Sequence, residues 1–315
     1  MVDILGVGAA ALDMIASVPH FPEPDEKVDA KQYTFLPGGV TANYVTGVAR
    51  LGLFSAGFVG ALGNDEAGNI LLQDFKKEGV DTTLIKVKNT SSATNFILLT
   101  DDGDKAIIQS PFFMGTRLDI PQDIDMEYIL NAKLIHTTCV HKEASDYIVQ
   151  EARKNKGDEI LISFDLEKQV ISAHGKDQIL KFLDYVDLLV PQKLGITELT
   201  GERYPADAAK VIMKKKRNLK LIAVTLGGEG CMITYRKGTN IQQKIFPAFK
   251  INPVDVTGAG DAFNAAFTVG FLKGWDYIKI AEVSNAAGAL NCLKIGARTG
   301  MCSLQEVEDF VYTNR

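Results

Sequence analysis

The chain has 315 residues, of which 46% are hydrophobic and 23% charged, and this composition excludes a disordered or fibrous protein. Its net charge of -5 at pH 7 disfavours a nucleic-acid partner, because such a partner requires a basic surface that neutralises phosphates. The four cysteines form no C-x-x-C pair, so neither a zinc site nor a disulfide framework is expected. No secretory signal and no long apolar run are recognisable, and we expect a cytoplasmic protein without membrane contact.

The first elements in chain order are a short buried strand at residues 4–7 and two further strands within residues 12–35. The segment 6–11 reads G-V-G-A-A-A and imitates the dinucleotide fingerprint of a dehydrogenase. That fingerprint requires a long helix directly downstream, and Pro19, Pro22 and Pro24 come too early for one. The pattern therefore favours strands and turns here over a dinucleotide-binding unit.

A helix is predicted over residues 40–51 with Gly52 at its end, followed by a strand at 56–60 and an amphipathic helix at 69–78. Residues 94–99 and 105–109 are typical of a hairpin around the turn D-D-G-D. We expect this hairpin and the strands of residues 12–35 to pair into one small sheet. This sheet would form a lid from about residues 12–35 and 94–113.

Apolar, β-rich runs alternate with helical ones from residue 134 to residue 225. Such alternation is typical of a parallel sheet with helices on both faces. The sequence therefore predicts an α/β fold, a doubly wound and mostly parallel sheet with a small β-sheet lid. We expect residues 1–315 to form a single domain of this kind.

The segment 255–263 reads D-V-T-G-A-G-D-A-F and opens a long apolar helix. Gly258 and Gly260 lack Cβ atoms, so a ligand can approach the free N–H groups of the helix start, which favour an anion. Asp261 in the same turn is positioned to accept the proton of an attacking hydroxyl. An ordinary capping turn, in which Asp261 only complements the helix dipole, fits the same residues.

Three segments together resemble the pfkB (ribokinase-like) family of carbohydrate kinases. Residues 255–261 are similar to that family's D-T-x-G-A-G-D signature, residues 37–43 (P-G-G-V-T-A-N) to its P-G-G-x-x-x-N region, and residues 225–230 (T-L-G-G-E-G) to its T-x-G-x-x-G segment. The matching positions follow the family's order from residue 6 to residue 300.

The resemblance implies an ATP-dependent kinase that uses Mg²⁺ and phosphorylates a hydroxyl of a small molecule. It implies a catalytic base and an anion hole made of backbone amides, at Asp261 and at Gly258, Ala259 and Gly260. It implies contacts to substrate hydroxyls from Asp13, Gly38, Gly39 and Asn43. Nucleotide contacts are implied for Gln192, Thr225, Gly227, Gly230 and Asn285. A monovalent cation such as K⁺ is implied beside Asp255 and Thr257.

The chain departs from the family's pattern at two places. Where relatives have N-x-x-E before L-T-G, this chain has Gln192 and Gly195, so a carboxylate tied to magnesium is missing, and Glu198 lies near the same helix face. Where many sugar kinases have D-x-N-x-R, residues 165–169 read D-L-E-K-Q. The lost arginine disfavours an acidic or ketose sugar recognised there.

Three functions remain open from the sequence. A sugar kinase, for ribose, fructose or a related substrate, is preferred to a nucleoside kinase, whose base the apolar pair Phe112 and Phe113 would cover. The third hypothesis is a regulator that binds ligand or nucleotide without turnover, because Gly195 replaces an acid. By resemblance, the lid also predicts a homodimer.

Overall fold

The computed structural model describes residues 2–102, 104–111 and 116–314, and these build two separate sheets. Residues 103, 112 and 113 of the predicted lid lie outside this part of the chain. The strands, in chain order, are β1 Ile4–Val7, β2 Ala11–Val18, β3 Gln32–Gly38, β4 Ala56–Gly63, β5 Ile85–Lys88, β6 Thr94–Thr100, β7 Lys105–Gln109, β8 Leu134–Thr137, β9 Leu161–Leu166, β10 Leu188–Pro191, β11 Leu221–Thr225, β12 Cys231–Lys237 and β13 Asn240–Phe246.

The large sheet has the order β13-β12-β11-β10-β9-β8-β1-β4-β5. In this spatial order, the seven neighbouring strands β11, β10, β9, β8, β1, β4 and β5 pair in parallel. Strands β12 and β13 add an antiparallel edge beside β11. The parallel pairs β4–β5, β8–β9, β9–β10 and β10–β11 are joined through helices, because parallel neighbours need a crossover connection. The predicted mostly parallel, doubly wound α/β sheet is confirmed, and the dehydrogenase alternative fails because residue 11 starts a strand and not a helix.

Helices cover both faces of the large sheet. In chain order they are α1 Val40–Leu51, α2 Glu66–Lys77, α3 Met126–Ile129, α4 Lys142–Lys156, α5 Lys168–His174, α6 Lys176–Phe182, α7 Lys193–Thr200, α8 Pro205–Lys215, α9 Ala259–Leu272, α10 Tyr277–Asn291 and α11 Leu304–Thr313. Helices α3 to α8 pack in one core layer, and α1, α2 and α9 to α11 in the other. No helix within the described residues has the length and apolar character of a membrane span.

The small sheet has the order β3-β2-β6-β7 and stands apart from the large one. Strand β2 pairs antiparallel with β3 and parallel with β6, and β6 and β7 form the predicted hairpin. Successive side chains alternate between its two faces. One face carries Asp13 and Asn95 toward the interior, and the other exposes apolar side chains, among them Phe35 and Ile108.

Helix α1 begins where the small sheet ends. Gly39 has a φ of 93°, and a Cβ on it would lie 2.8 Å from the backbone of Ala10. Only glycine makes this turn, because the positive φ and the contact with β2 both exclude a side chain. The turn therefore ties the first residues of α1 to the base of the small sheet.

Candidate active site

The residues around the start of α9 form the centre of the candidate site. Gly258 precedes the helix with a φ of 76°, and a Cβ there would lie 1.8 Å from the carbonyl oxygen of Ala297. The amides of Gly258 and Gly260 find no acceptor among the described residues, whereas the Ala259 amide donates to Val256 at 3.3 Å. The turn thus presents free N–H groups at a helix N-terminus, an arrangement that binds anions.

Asp261 lies in the first turn of α9 and is 8% exposed. Its Oδ2 accepts a hydrogen bond of 2.7 Å from Asn43 Nδ2 on α1. Burial raises the pKa of Asp261 to about 7, although the Asn43 hydrogen bond acts in the opposite direction. A carboxyl with such a pKa is matched to proton transfer near neutral pH.

A buried arginine holds Asn43 in this orientation. Arg298 is 5% exposed, and its Nε donates to Asn43 Oδ1 at 3.1 Å. The same guanidinium donates to the Gly38 carbonyl at 3.0 Å, to Thr46 at 3.1 Å and to Asp74 at 2.7 Å. Because the Asn43 oxygen is taken by Arg298, its amide nitrogen faces Asp261.

The predicted substrate side lies on the small sheet and the start of α1. Asp13 is 5% exposed and accepts from Asn95 Nδ2 at 2.7 Å. Its carboxylate lies over Gly38, where a Cβ would come within 2.2 Å of Asp13 Oδ2. The structure therefore brings Asp13, Gly38 and Asn43 together beside Asp261, and burial raises the pKa of Asp13 as well.

The predicted nucleotide residues lie at the ends of β10 to β13. Gln192 and Thr225 form a β-bridge at the carboxyl ends of β10 and β11. Gly227 has a φ of 62° with open space where a Cβ would stand. Asn285 on α10 donates to the carbonyls of residues 246 and 247 at 3.2 and 3.1 Å, and Gly230 packs against the same segment.

The predicted cation position has a lysine beside it. Asp255 accepts from the amide and the hydroxyl of Thr257 at 2.9 and 2.7 Å and from the Gly296 amide at 2.9 Å. Lys105 Nζ, from β7, donates to Thr257 Oγ1 at 2.8 Å. The small sheet thus contacts the loop that precedes α9.

Two further carboxyl groups lie near Asp261 at the end of β9. Asp165 is 5% exposed, and no hydrogen bond from the described residues acts on its carboxyl. Burial raises the pKa of both Asp165 and Glu167, and for Asp165 the charges of Glu167 and Asp261 act in the same direction. Carboxylate oxygens are the protein ligands that Mg²⁺ prefers, and it takes one or two of them together with substrate phosphates. Asp165 and Glu167 therefore fit a magnesium ion.

Sequence reasoning missed several residues of this site. Arg298, Lys105 and Asn95 have no motif of their own, and Glu167 stands where the D-x-N-x-R pattern has Asn. Asn291 holds the loop before α9 by donating to the carbonyls of Thr257 and Ala297 at 2.9 and 3.0 Å. A glycine on each side of the Ala297–Arg298–Thr299 stretch is the one signal that marks Arg298. The burial of its guanidinium depends on contacts with α1 and α2, which lie more than 200 residues away in the chain.

The arrangement can place an anion on the amides before α9 while a buried carboxyl accepts a proton from a neighbouring hydroxyl. Asp13, Asn95 and Asn43 supply polar groups for a substrate with several hydroxyls. The glycine turn after β11 is open, because a Cβ on Gly227 or Gly228 would meet nothing within 4 Å. This combination fits phosphoryl transfer between two bound molecules.

Comparisons with known proteins agree with this geometry. A family model described as pfkB family carbohydrate kinase matches residues 1–303. An uncharacterized sugar kinase of Archaeoglobus fulgidus is 33% identical over 81% of this chain and 98% of that protein. The ribokinase of Bacillus subtilis is 29% identical over 99% of this chain and 100% of that protein. The solved structure of a Thermotoga maritima ribokinase has a TM-score of 0.79 at 25% identity, covering 99% of this chain and 100% of that one.

Proposed function

The chain belongs to the pfkB family of carbohydrate kinases and is an ATP-dependent kinase, and we propose that it phosphorylates a hydroxyl of a sugar with Asp261 as the catalytic base. The observation that carries the proposal is the buried Asp261 carboxyl in the same helical turn as the free amides of Gly258 and Gly260. A base and an anion site in one turn are the two groups that phosphoryl transfer to an alcohol requires.

In the proposed reaction, Asp261 accepts the proton of the attacking hydroxyl as the oxygen bonds to the γ-phosphorus. The amides of Gly258 and Gly260 receive the transferring group, and the bond to the ADP oxygen breaks. Magnesium, when bound, neutralises charge on the nucleotide phosphates. The Asn43 hydrogen bond keeps the Asp261 carboxylate pointing toward the substrate side.

We assign the sugar to the space under the small sheet. Asp13, Gly38, Gly39 and Asn43 would contact its hydroxyls, and Asn95 orients the Asp13 carboxylate. ATP would lie along Gln192, Thr225, Gly227, Gly230 and Asn285. K⁺ would bind beside Asp255 and Thr257. The ammonium group of Lys105 already donates to Thr257 at that position.

Residues 1–315 would form one domain in which the small sheet, from about residues 12–35 and 94–113, acts as the lid. We place the protein in the cytoplasm, where its substrate ATP is found and where the four unpaired cysteines would stay reduced.

The outer face of the lid exposes Tyr33, Phe35 and Ile108, which are 50%, 50% and 64% accessible. This exposed apolar face would pair with the same face of a second chain, which gives a homodimer through the two lids.

The central test is a coupled assay of pentoses, hexoses, ketoses and nucleosides with the native chain and with Asp261→Asn. For the accepted substrate, kcat should fall about 10²–10⁴-fold in the variant, because the amide cannot accept the proton. Asp207→Asn is the matched control, since Asp207 is an exposed acid at the equivalent position of the first turn of α8. Its activity should equal that of the native chain.

Other outcomes decide between the alternatives. Turnover of nucleosides but of no sugar would show that the substrate is a nucleoside. Ligand binding without turnover across the screen would favour a regulator. A kcat of Asp261→Asn close to the native value would show that Asp261 is not the base.

A further inference from the structure

Glu167 and Gln192 leave neighbouring strands side by side. Strands β9 and β10 pair in parallel, with Leu166 opposite Pro191. The next residue on each strand is therefore Glu167 and Gln192, at the carboxyl edge of the sheet. Gln192 Nε2 donates to Glu167 Oε1 at 3.1 Å. This contact holds the Glu167 carboxylate at the edge where the predicted nucleotide residues lie.

Position 195 has no room for a side chain. A Cβ on Gly195 would lie 2.6 Å from the carbonyl oxygen of Leu166. The same oxygen accepts from the Gln192 amide at 3.2 Å, so the backbone at the end of β9 closes against the start of α7. A carboxylate therefore cannot reach the site from position 195.

Glu198 does not supply the missing charge. Its carboxylate pairs with Lys176 at 3.0 Å, and the two side chains are 40% and 49% exposed. It thus lies on the outer surface of α7. Among the acids near the start of α7, Glu167 is the one that lies next to a predicted nucleotide residue.

Asp165 gives a second, independent indication of a ligand. The residue is 5% exposed, and burial and the charges of neighbouring acids, but no hydrogen bond from the described residues, act on its carboxyl. The charges that act on it are those of Glu167 and Asp261, both of the same sign. A buried carboxyl group normally has hydrogen-bond donors or a cation beside it. The position of Asp165 therefore points to a cation between the end of β9 and the start of α9.

We propose that Glu167, together with Asp165, holds the magnesium ion that accompanies ATP, in place of the acid that is absent from position 195. In this arrangement the carboxylate comes from the end of β9 and not from the first turn of α7. The glycine at position 195 leaves the space that the end of β9 occupies. This inference rests on the proposed kinase function, because the nucleotide supplies the remaining ligands.

Binding of Mn²⁺ tests the proposal without turnover. The native chain and Glu167→Gln are titrated with Mn²⁺ in the presence of a non-hydrolysable ATP analogue, and free Mn²⁺ is measured by electron paramagnetic resonance. The variant should bind Mn²⁺ about 10–100-fold more weakly, the usual loss when a group that supports a metal is changed. With EDTA present, the variant should bind the analogue at least as tightly as the native chain, because one negative charge near the phosphates is gone.

Glu198→Gln is the matched control and should bind Mn²⁺ like the native chain. Unchanged Mn²⁺ affinity in Glu167→Gln, an equal loss in Glu198→Gln, or weaker binding of the metal-free analogue would overturn the proposal. If Glu167→Gln does not fold, Asp165→Asn takes its place with the same expected and contrary results. A chain that turns over no sugar but shows the Mn²⁺ effect would contradict the sugar-kinase proposal and support the role of Glu167.

Discussion

At the scale of single residues, the buried Asp261 carboxyl predicts how activity depends on pH. Its pKa is raised to about 7 by burial, so below that pH the group is protonated and cannot accept a proton. The value of kcat/KM for the sugar should therefore fall as the pH drops through about 7 and level off above it. A pH–rate profile at saturating ATP measures this. A profile that stays level across neutral pH would contradict the assignment of Asp261 as base.

We infer from its hydrogen bond to Asn43 that Arg298 is a positioning residue, and Arg298→Lys tests this role. A lysine keeps the charge but cannot donate to Asn43, Gly38 and Asp74 together. The amide of Asn43 is then free to turn away from Asp261, and kcat should fall by up to about 10²-fold, as for a misplacement of about 1 Å. The acidic limb of the pH–rate profile should also move to higher pH, because the Asn43 hydrogen bond lowers the pKa of Asp261.

The control for this variant is Arg236→Lys. Arg236 donates to the carbonyl of Lys216 at 3.0 Å and lies on β12, away from Asp261. Its pH–rate profile should match that of the native chain. If Arg298→Lys loses rate but keeps the native pH limb, Arg298 serves the stability of the fold and does not orient Asn43.

At the scale of elements, the contact between α7 and the end of β9 decides the geometry of the proposed magnesium site. Gly195→Ala places a Cβ 2.6 Å from the Leu166 carbonyl, so one of the two elements must shift. We expect a loss of about 1–3 kcal/mol in the free energy of unfolding, the usual cost of overpacking. Urea denaturation measures it.

Gly228→Ala is the control for this substitution. A Cβ on Gly228 meets nothing within 4 Å, and its φ is not positive. Its free energy of unfolding should stay within about 0.5 kcal/mol of the native value, as for most surface substitutions. Equal stability of Gly195→Ala and the native chain would show that the end of β9 yields without cost, and the argument from space at position 195 would then fail.

At the scale of the whole molecule, the proposed homodimer depends on the outer face of the small sheet. Ile108→Glu places a charge on that face, and a charge buried in an interface without a partner is costly. Light scattering after size-exclusion chromatography should show the native chain as a dimer and the variant as a monomer.

Ile245→Glu provides the control, because Ile245 on β13 is 63% exposed and Ile108 is 64% exposed. This variant should remain dimeric. A native chain that is monomeric, or an Ile108→Glu variant that stays dimeric, would exclude the lid as the interface.

Much of the fold could be predicted because it rests on local patterns. The bounds of α1 follow from its apolar spacing and from Gly52, and the hairpin of β6 and β7 follows from two β-rich runs around a turn. Strand β5 and the antiparallel edge of β12 and β13 were not predicted. Strand β5 has only four residues, and β13 alternates between exposed and partly buried residues. Pairing at a sheet edge therefore leaves little local signal in the sequence.

The candidate site divides in the same way. The glycine turn before α9 and the acid that follows it can be read from the sequence, because a tight turn and a helix start impose residue types on consecutive positions. The partners of that acid cannot be read. Asn43 is separated from Asp261 by 218 residues and Arg298 from Asn43 by 255, and no local rule relates them.

The class of fold, the turn proposed to bind an anion and the residue proposed as base could be predicted from the sequence, because turns and helix starts depend on neighbouring residues. The burial of Asp261, the hydrogen bond from Arg298 to Asn43, and the position of Glu167 beside Gln192 while position 195 is closed required the tertiary structure. Burial and charge interactions depend on distances between strands and helices that are remote in the chain.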